Sequence, residues 1–233
     1  MICNNIPILD SGKGWLAVDK PSGMSIHNDP GYDLCSVIAE YIKDNPDFAE
    51  QTAFNPEFGV NPVHRLDKLT SGVILMACTV ESFYWFSKQF ENRSAGKKYI
   101  AIVHGQIKKK QGLWTWPLSK KPGGRSNPAG AGKKMPSQTG YKVIRQSKLY
   151  SLVECELMTG RKHQIRRHAA LAGHSIAGDS RYGTSSAVKY LQTKLNFHRL
   201  GLHSTSLSIY VPNKSKPVII NSKKIPADME ALI

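Results

Sequence analysis

At 233 residues, with 40% apolar and 21% charged residues, the chain is long enough for one sizeable core and is neither fibrous nor disordered in composition. Lys plus Arg total 32 against 17 Asp plus Glu, and the formal net charge of +15 exceeds what solubility requires. A polyanionic partner is expected: nucleic acid first, because neutralising phosphates releases counterions, and an anionic membrane surface second.

The opening "MICNNIPILDSGKG" lacks the basic-then-apolar order of a signal peptide. Residues 14–19, "GWLAVD", read as a short strand running into the "KPSG" turn. Leu34, Val37, Ile38, Tyr41 and Ile42 fall at helical spacing, and Asn45-Pro46 ends that pattern. "SGVILMAC", 71–78, reads as a buried strand; its wholly apolar part is far too short to span a bilayer, so a soluble cytoplasmic protein is expected. In "VESFYWFSKQFENR", Phe83, Phe86 and Phe90 share one helical face and are expected in the core, not as a base-stacking platform.

"KKYIAIVHG", 97–105, is apolar on both faces and predicts a central strand. Residues 117–138, "PLSKKPGGRSNPAGAGKKMPSQ", hold five Lys or Arg and no acid between Gly and Pro, which predicts a basic, flexible loop: an RNA contact or a solvated insertion. Two strands follow, "TGYKVIRQ" and "YSLVECEL". "TGRKHQIRRHAALAG" then predicts a helix capped by Thr159 and stopped by Gly173. A further helix over "AVKYLQTKLNFHR", alternation in "LHSTSLSIYV" and a last short strand "KPVII" complete the pattern. There is no internal repeat and no strict βαβ order, so the expected class is α+β, in a single domain over 1–233.

Several chemistries lack their residues. "GAGKK" has neither the upstream glycine nor the Ser or Thr of a phosphate-binding P-loop, and GxGxxG, GxSxG and HExxH are absent. Cys3, Cys35, Cys78 and Cys155 lack zinc-site pairing and disulfide-scaffold density, so they read as buried or free thiols. His163 and His168, five apart, point to different faces and read as hydrogen-bonding residues rather than metal ligands. In "NPVHRLDKLTSGVIL", Asp67 stands before a Thr-Ser-Gly turn; locally, a carboxylate there is most simply a turn cap.

Taken together, "DKPSGMSIH", "HRLDKLTSG", "KKYIAIVHG", "TGRKHQIRRH", "GHSIAGDSRYG" and "RLGLHS" resemble, in order and spacing, the RluA family of RNA pseudouridine synthases, which has ribosomal and transfer RNA members. The resemblance spans most of the chain. It implies the family's catalytic fold, a mixed and largely antiparallel central sheet flanked by helices and loops, and the isomerisation of a uridine without metal or cofactor.

By the same resemblance Asp67 is the catalytic aspartate, ionised and close to the sugar, acting as nucleophile at C1′ or as base at C2′. Burial beside an apolar strand would disfavour that charge unless a cation compensated, and Arg166 matches the basic residue that pairs with it. Tyr99 matches the active-site tyrosine that stacks on uracil. Arg65 matches a position supporting the flipped-out nucleotide, and Ile165 one lining the uracil pocket. Arg161, Lys162 and Arg167 are expected to contact phosphate, as are Lys120, Lys121, Lys133 and Lys134 of the basic loop; His64 is expected to order its own loop.

The chain departs from the family pattern in places. Lys68, Ser175 and Ser204 replace a frequent Arg, Pro and Ala, and the S4-type RNA-binding domain that many relatives carry is not expected here. The expected protein is a monomer acting on structured RNA, ribosomal or transfer. The competing class is a non-catalytic RNA-binding or ribosome-assembly factor on the same scaffold, against which the joint presence of Asp67, Tyr99 and Arg166 speaks.

Overall fold

The computed structural model describes residues 2–3 and 6–233; the side chain of Cys3 lies outside the described residues. The chain divides into two compact units, Met1–Gly96 with Ser204–Lys223, and Lys97–His203 with Lys224–Ile233. The fold class is α+β with largely antiparallel strands flanked by helices, as the sequence predicts.

In the first unit, β1 (Ile2–Cys3), β2 (Ile6–Gly12) and β3 (Trp15–Lys20) form an antiparallel ladder that continues directly into β5 (Ser71–Ala77), with which the short β4 (Asn61–Pro62) also pairs. The β3–β5 register runs from Trp15 opposite Ala77 to Lys20 opposite Gly72, so the "KPSG" turn and the start of β5 lie side by side. All of β5 is buried, as its unbroken apolar run predicts. Val73, Leu75 and Ala77 pack with Trp15, Ala17 and Phe86. Phe86 comes from α3 (Val80–Glu91), whose first turn is capped by the Thr79 hydroxyl, and Phe83 and Phe90 pack partly buried against the same cluster. Their neighbours Tyr84 and Trp85 are exposed.

Helix α1 (Leu34–Lys43) buries Leu34, Val37, Ile38 and Ile42, the predicted face. Pro46 does not simply end it: it opens α2 (Pro46–Gln51), because a first helical position has no use for the N–H that proline lacks.

In the second unit, β6 (Gly96–His104), β7 (Gln111–Trp114), β8 (Leu118–Ser119), β9 (Lys134–Met135), β10 (Thr139–Gln146) and β11 (Tyr150–Leu157) follow in sequence. The sheet order is β6-β11-β10-β7, antiparallel throughout. Hydrogen bonds from Ile102 N to Gly201 O and from Ala177 N to Ile102 O use the other edge of β6. Helices α4 (Gln164–Leu171), α5 (Ser185–Leu195) and α6 (Ala227–Glu230) follow, and Ile100, Ile102, Leu191, Phe197 and Met229 share one core.

The 117–138 segment, expected as a flexible basic loop, carries local pairing. Two-residue strands β8 and β9 pair, Leu118, Ser119 and Ser137 are buried, and Ser119 N donates to Ala129 O at 2.9 Å. Composition showed a segment too polar to make a core; it did not show that side chains elsewhere would satisfy its carbonyls.

Candidate active site

Asp67 stands in a loop whose backbone is fixed carbonyl by carbonyl. Thr70 N donates to Asp67 O at 2.9 Å, so the turn is closed by the main chain. The next carbonyl, Lys68 O, accepts from Gly23 N at 2.9 Å and from Lys20 Nζ at 3.0 Å; Leu69 O accepts from the Ser22 hydroxyl at 2.7 Å. Lys20 is wholly buried, and its ammonium also donates to Pro21 O and Met24 O. A buried ammonium needs several oxygen partners, and here they are carbonyls of two neighbouring turns. Lys20 therefore ties the "KPSG" turn to the peptide that follows Asp67. Sequence reasoning missed it; the only signal was a lysine ending a strand that is otherwise apolar.

His64 orders this loop, as expected. Its Nε2 accepts from Leu75 N on β5 at 2.9 Å, and its ring stacks on Phe90 with centroids 4.6 Å apart. An accepting Nε2 places the ring proton on Nδ1. Gly72 opens β5 at φ +107, and a Cβ there would collide with the Ser204 carbonyl, so backbone approach, not only a turn, requires glycine. Arg65 is exposed, Leu66 is buried and Asp67 is half-buried.

In the second unit Tyr99 is buried on β6, opposite Cys155 of β11. Between β11 and α4, "TGRKHQIRRH" folds differently from the helix expected from Thr159 onward. Arg161 and Lys162 precede the helix, and His163 caps it in the left-handed conformation, φ 55 and ψ 28. The Thr159 hydroxyl is taken by the side chain of Gln164, donating to Oε1 at 2.7 Å, and it accepts from Gln138 N. Gln164 is buried and fully used: Oε1 also accepts from Arg161 N, and Nε2 donates to Gln138 O and to the Thr139 hydroxyl, each at 2.9 Å. His168 continues the network from Thr139 Oγ1, 2.9 Å from Nδ1, to Trp116 O, 3.0 Å from Nε2. The carbonyl can only accept, so Nε2 carries the proton. Burial holds the His168 pKa below its ordinary value, consistent with a neutral ring.

Arg166 is buried and grips Asp179 with two parallel hydrogen bonds, Nε to Oδ2 at 2.7 Å and Nη2 to Oδ1 at 3.0 Å. Asp179 has no exposed surface, and its Oδ1 accepts also from Arg181 N and Tyr182 N. The Arg166 guanidinium lies 5.3 Å from the centroid of the Tyr182 ring, and the Tyr182 hydroxyl lies 3.0 Å from His163 Nδ1. A bidentate carboxylate and an aromatic face fix the guanidinium plane before any substrate arrives. Asp179 was not singled out from the sequence.

The remaining expected residues fall into two groups. Lys120, Lys121, Lys133, Lys134 and Lys162 are exposed, Arg161 is half-buried with an Nε that has no partner among the described residues, and Ile165 is buried. Arg167 does not fit the phosphate contact expected of it: it is wholly buried, and its guanidinium donates to Pro128 O, Ser119 O and Oγ, Ala129 O and Lys162 O. No donor is left for RNA.

The family model described as RNA pseudouridylate synthase matches residues 14–171, which include Asp67, Tyr99 and Arg166. The chain belongs to this family. Among similar members, it is 30% identical over 219 residues to ribosomal large subunit pseudouridine synthase D of Nitrosomonas europaea, covering 94% of this chain and 61% of that protein. It is 33% identical to ribosomal large subunit pseudouridine synthase C of Buchnera aphidicola, covering 88% and 63%. Against these two it spans just over three fifths of the relative's length. It is also 34% identical to tRNA pseudouridine synthase C of Haemophilus ducreyi, covering 89% of this chain and 86% of that protein. The solved structure of human RNA pseudouridylate synthase domain containing 4 shares the fold, with TM-score 0.75, 22% identity and coverage of 96% of this chain and 90% of that one.

Proposed function

We propose that this pseudouridylate synthase family member isomerises a uridine to pseudouridine in a structured ribosomal or transfer RNA, with residues 1–233 acting as one catalytic domain, monomeric and cytoplasmic. The N1–C1′ bond breaks, C5 bonds to C1′, the C5 hydrogen leaves as a proton and N1 gains one, so the net change is isomerisation. Asp67 is the catalytic carboxylate, and Tyr99 and Arg166 are its catalytic companions. The observation that carries this reading is the family match, which extends over all three residues.

Supporting geometry lies within each unit. The carbonyls of the Asp67 loop are fixed by Lys20, Ser22 and Gly23, and Arg166 is oriented by Asp179. Such preorganisation is what positions reacting groups without reorganisation during the reaction. Arg65, Arg161, Lys162 and the loop lysines serve RNA binding, and Ile165 lines the uracil pocket. No helix among the described residues is long and apolar enough to cross a membrane.

The test is incubation of purified protein with ribosomal and transfer RNA lacking pseudouridine, followed by carbodiimide-dependent reverse-transcription stops. A new stop at a discrete uridine is expected. Binding with no new stop in either RNA class would favour the non-catalytic reading.

A further inference from the structure

Lys120, Lys121, Arg125, Lys133 and Lys134 are all exposed on the 117–138 loop, while the loop's carbonyls turn inward onto two arginines. Arg167 takes Ser119 O at 3.1 Å, Pro128 O at 2.6 Å and Ala129 O at 2.5 Å. Arg181, itself exposed, takes Pro122 O at 3.0 Å and Gly123 O at 2.9 Å. The loop is thus fastened along both limbs. Its own contacts complete the arrangement: Ser119 Oγ donates to Lys121 O at 2.6 Å, and Gly130, at φ +74, sits where a Cβ would collide with Ser119 Oγ and crowd Lys121 O.

We propose that Arg167 and Arg181 are positioning residues that hold the 117–138 loop as a preformed RNA-contacting surface, its cations outward toward the phosphate backbone. The proposal rests on the RNA reading above. The partners of Arg167 are carbonyls and a hydroxyl, with no carboxylate among them, so its charge stays uncancelled beneath the exposed lysines and adds to the attraction for a polyanion. A loop ordered in advance avoids the ordering cost that a flexible basic segment would meet on binding. The arginines also tie the loop to the catalytic helix. Arg167 follows Arg166 on α4, and the main chain of Arg181 donates to Asp179, which grips Arg166.

The test compares Arg181→Gln, Gly130→Ala and a fourfold Lys120, Lys121, Lys133 and Lys134→Gln variant, using unmodified transfer and ribosomal RNA transcripts as probes. Gly130→Ala changes no charge, and neither single variant removes a core side chain. Each should weaken RNA binding and raise KM by about 10-fold while kcat at saturating RNA stays within about 3-fold, the loss expected when a few phosphate contacts lose their geometry. Combining Gly130→Ala with the lysine variant should add less than about 3-fold to the lysine variant alone, because both act on one surface. Binding and KM like wild type in the single variants, or fully additive losses in the combination, would overturn the proposal. The binding arm needs no turnover: RNA bound as described without pseudouridine formation would count against the activity alone, and pseudouridine formation with unaltered binding in both single variants against the loop alone.

Discussion

Lys20 and Asp179 do for the two candidate catalytic residues what no feature of "HRLDKLTSG" or "HQIRRH" announces. Replacing Lys20 by Met keeps the volume but leaves the Pro21 and Met24 carbonyls without the ammonium, which should cost about 2–4 kcal/mol of stability. The Asp67 loop would also shift, and because a displacement of about 1 Å in a reacting group costs on the order of 10²-fold, kcat should fall by at least about 10-fold with little change in RNA affinity. Urea melts and single-turnover rates measure the two effects separately. Asp179→Asn keeps the shape and removes the charge facing Arg166; a loss of about 3 kcal/mol is expected in the same melts, with kcat falling more than KM rises. One signal for Asp179 was present in the sequence: it is the single acid between Glu156 and Asp228, in a stretch with Arg166, Arg167 and Arg181. A buried arginine needs a partner, and only that residue could supply a carboxylate locally.

At the scale of elements, the strands and helices with clear periodicity were legible, and those made by side-chain chemistry were not. The β5 run, the α1 face and the phenylalanine face of α3 follow from burial on one or both sides. The start of α4 was misplaced because Thr159 looks like a cap; its hydroxyl instead serves the Gln164 side chain, which satisfies Gln138, Thr139 and Arg161 at once. Gln164→Leu should therefore destabilise the second unit by about 2–4 kcal/mol, seen as faster hydrogen exchange in α4 and at residues 138 and 139. Near-native exchange at those amides would show that the network does not hold the helix start. The fastening of the basic loop was not legible for a related reason: Arg167 and Arg181 are distant in sequence from the carbonyls they bind.

For the whole molecule, the motif set predicted the family, because family membership is a property of the sequence itself. Stability against acid is a property of the fold. Burial depresses the pKa values of His104 and His168, and burial together with the nearby Arg199 charge takes His203 from 6.5 down to about 4. A folded-state pKa below the unfolded one means that the stabilising contribution is present above pH 6.5 and is lost as pH falls through the interval down to about 4. His203 alone should account for about 3 kcal/mol of that loss, and urea melts between these limits should show it; a flat profile would place charged imidazoles in the fold. If Asp67 performs the chemistry of a uridine isomerase, as proposed, release of tritium from RNA labelled at uracil C5 depends on its carboxylate. Wild type should release tritium as C5 bonds to C1′, while Asp67→Asn should bind the same RNA with unchanged affinity and release it at least about 10³-fold more slowly. Release at the wild-type rate from Asp67→Asn would contradict the account.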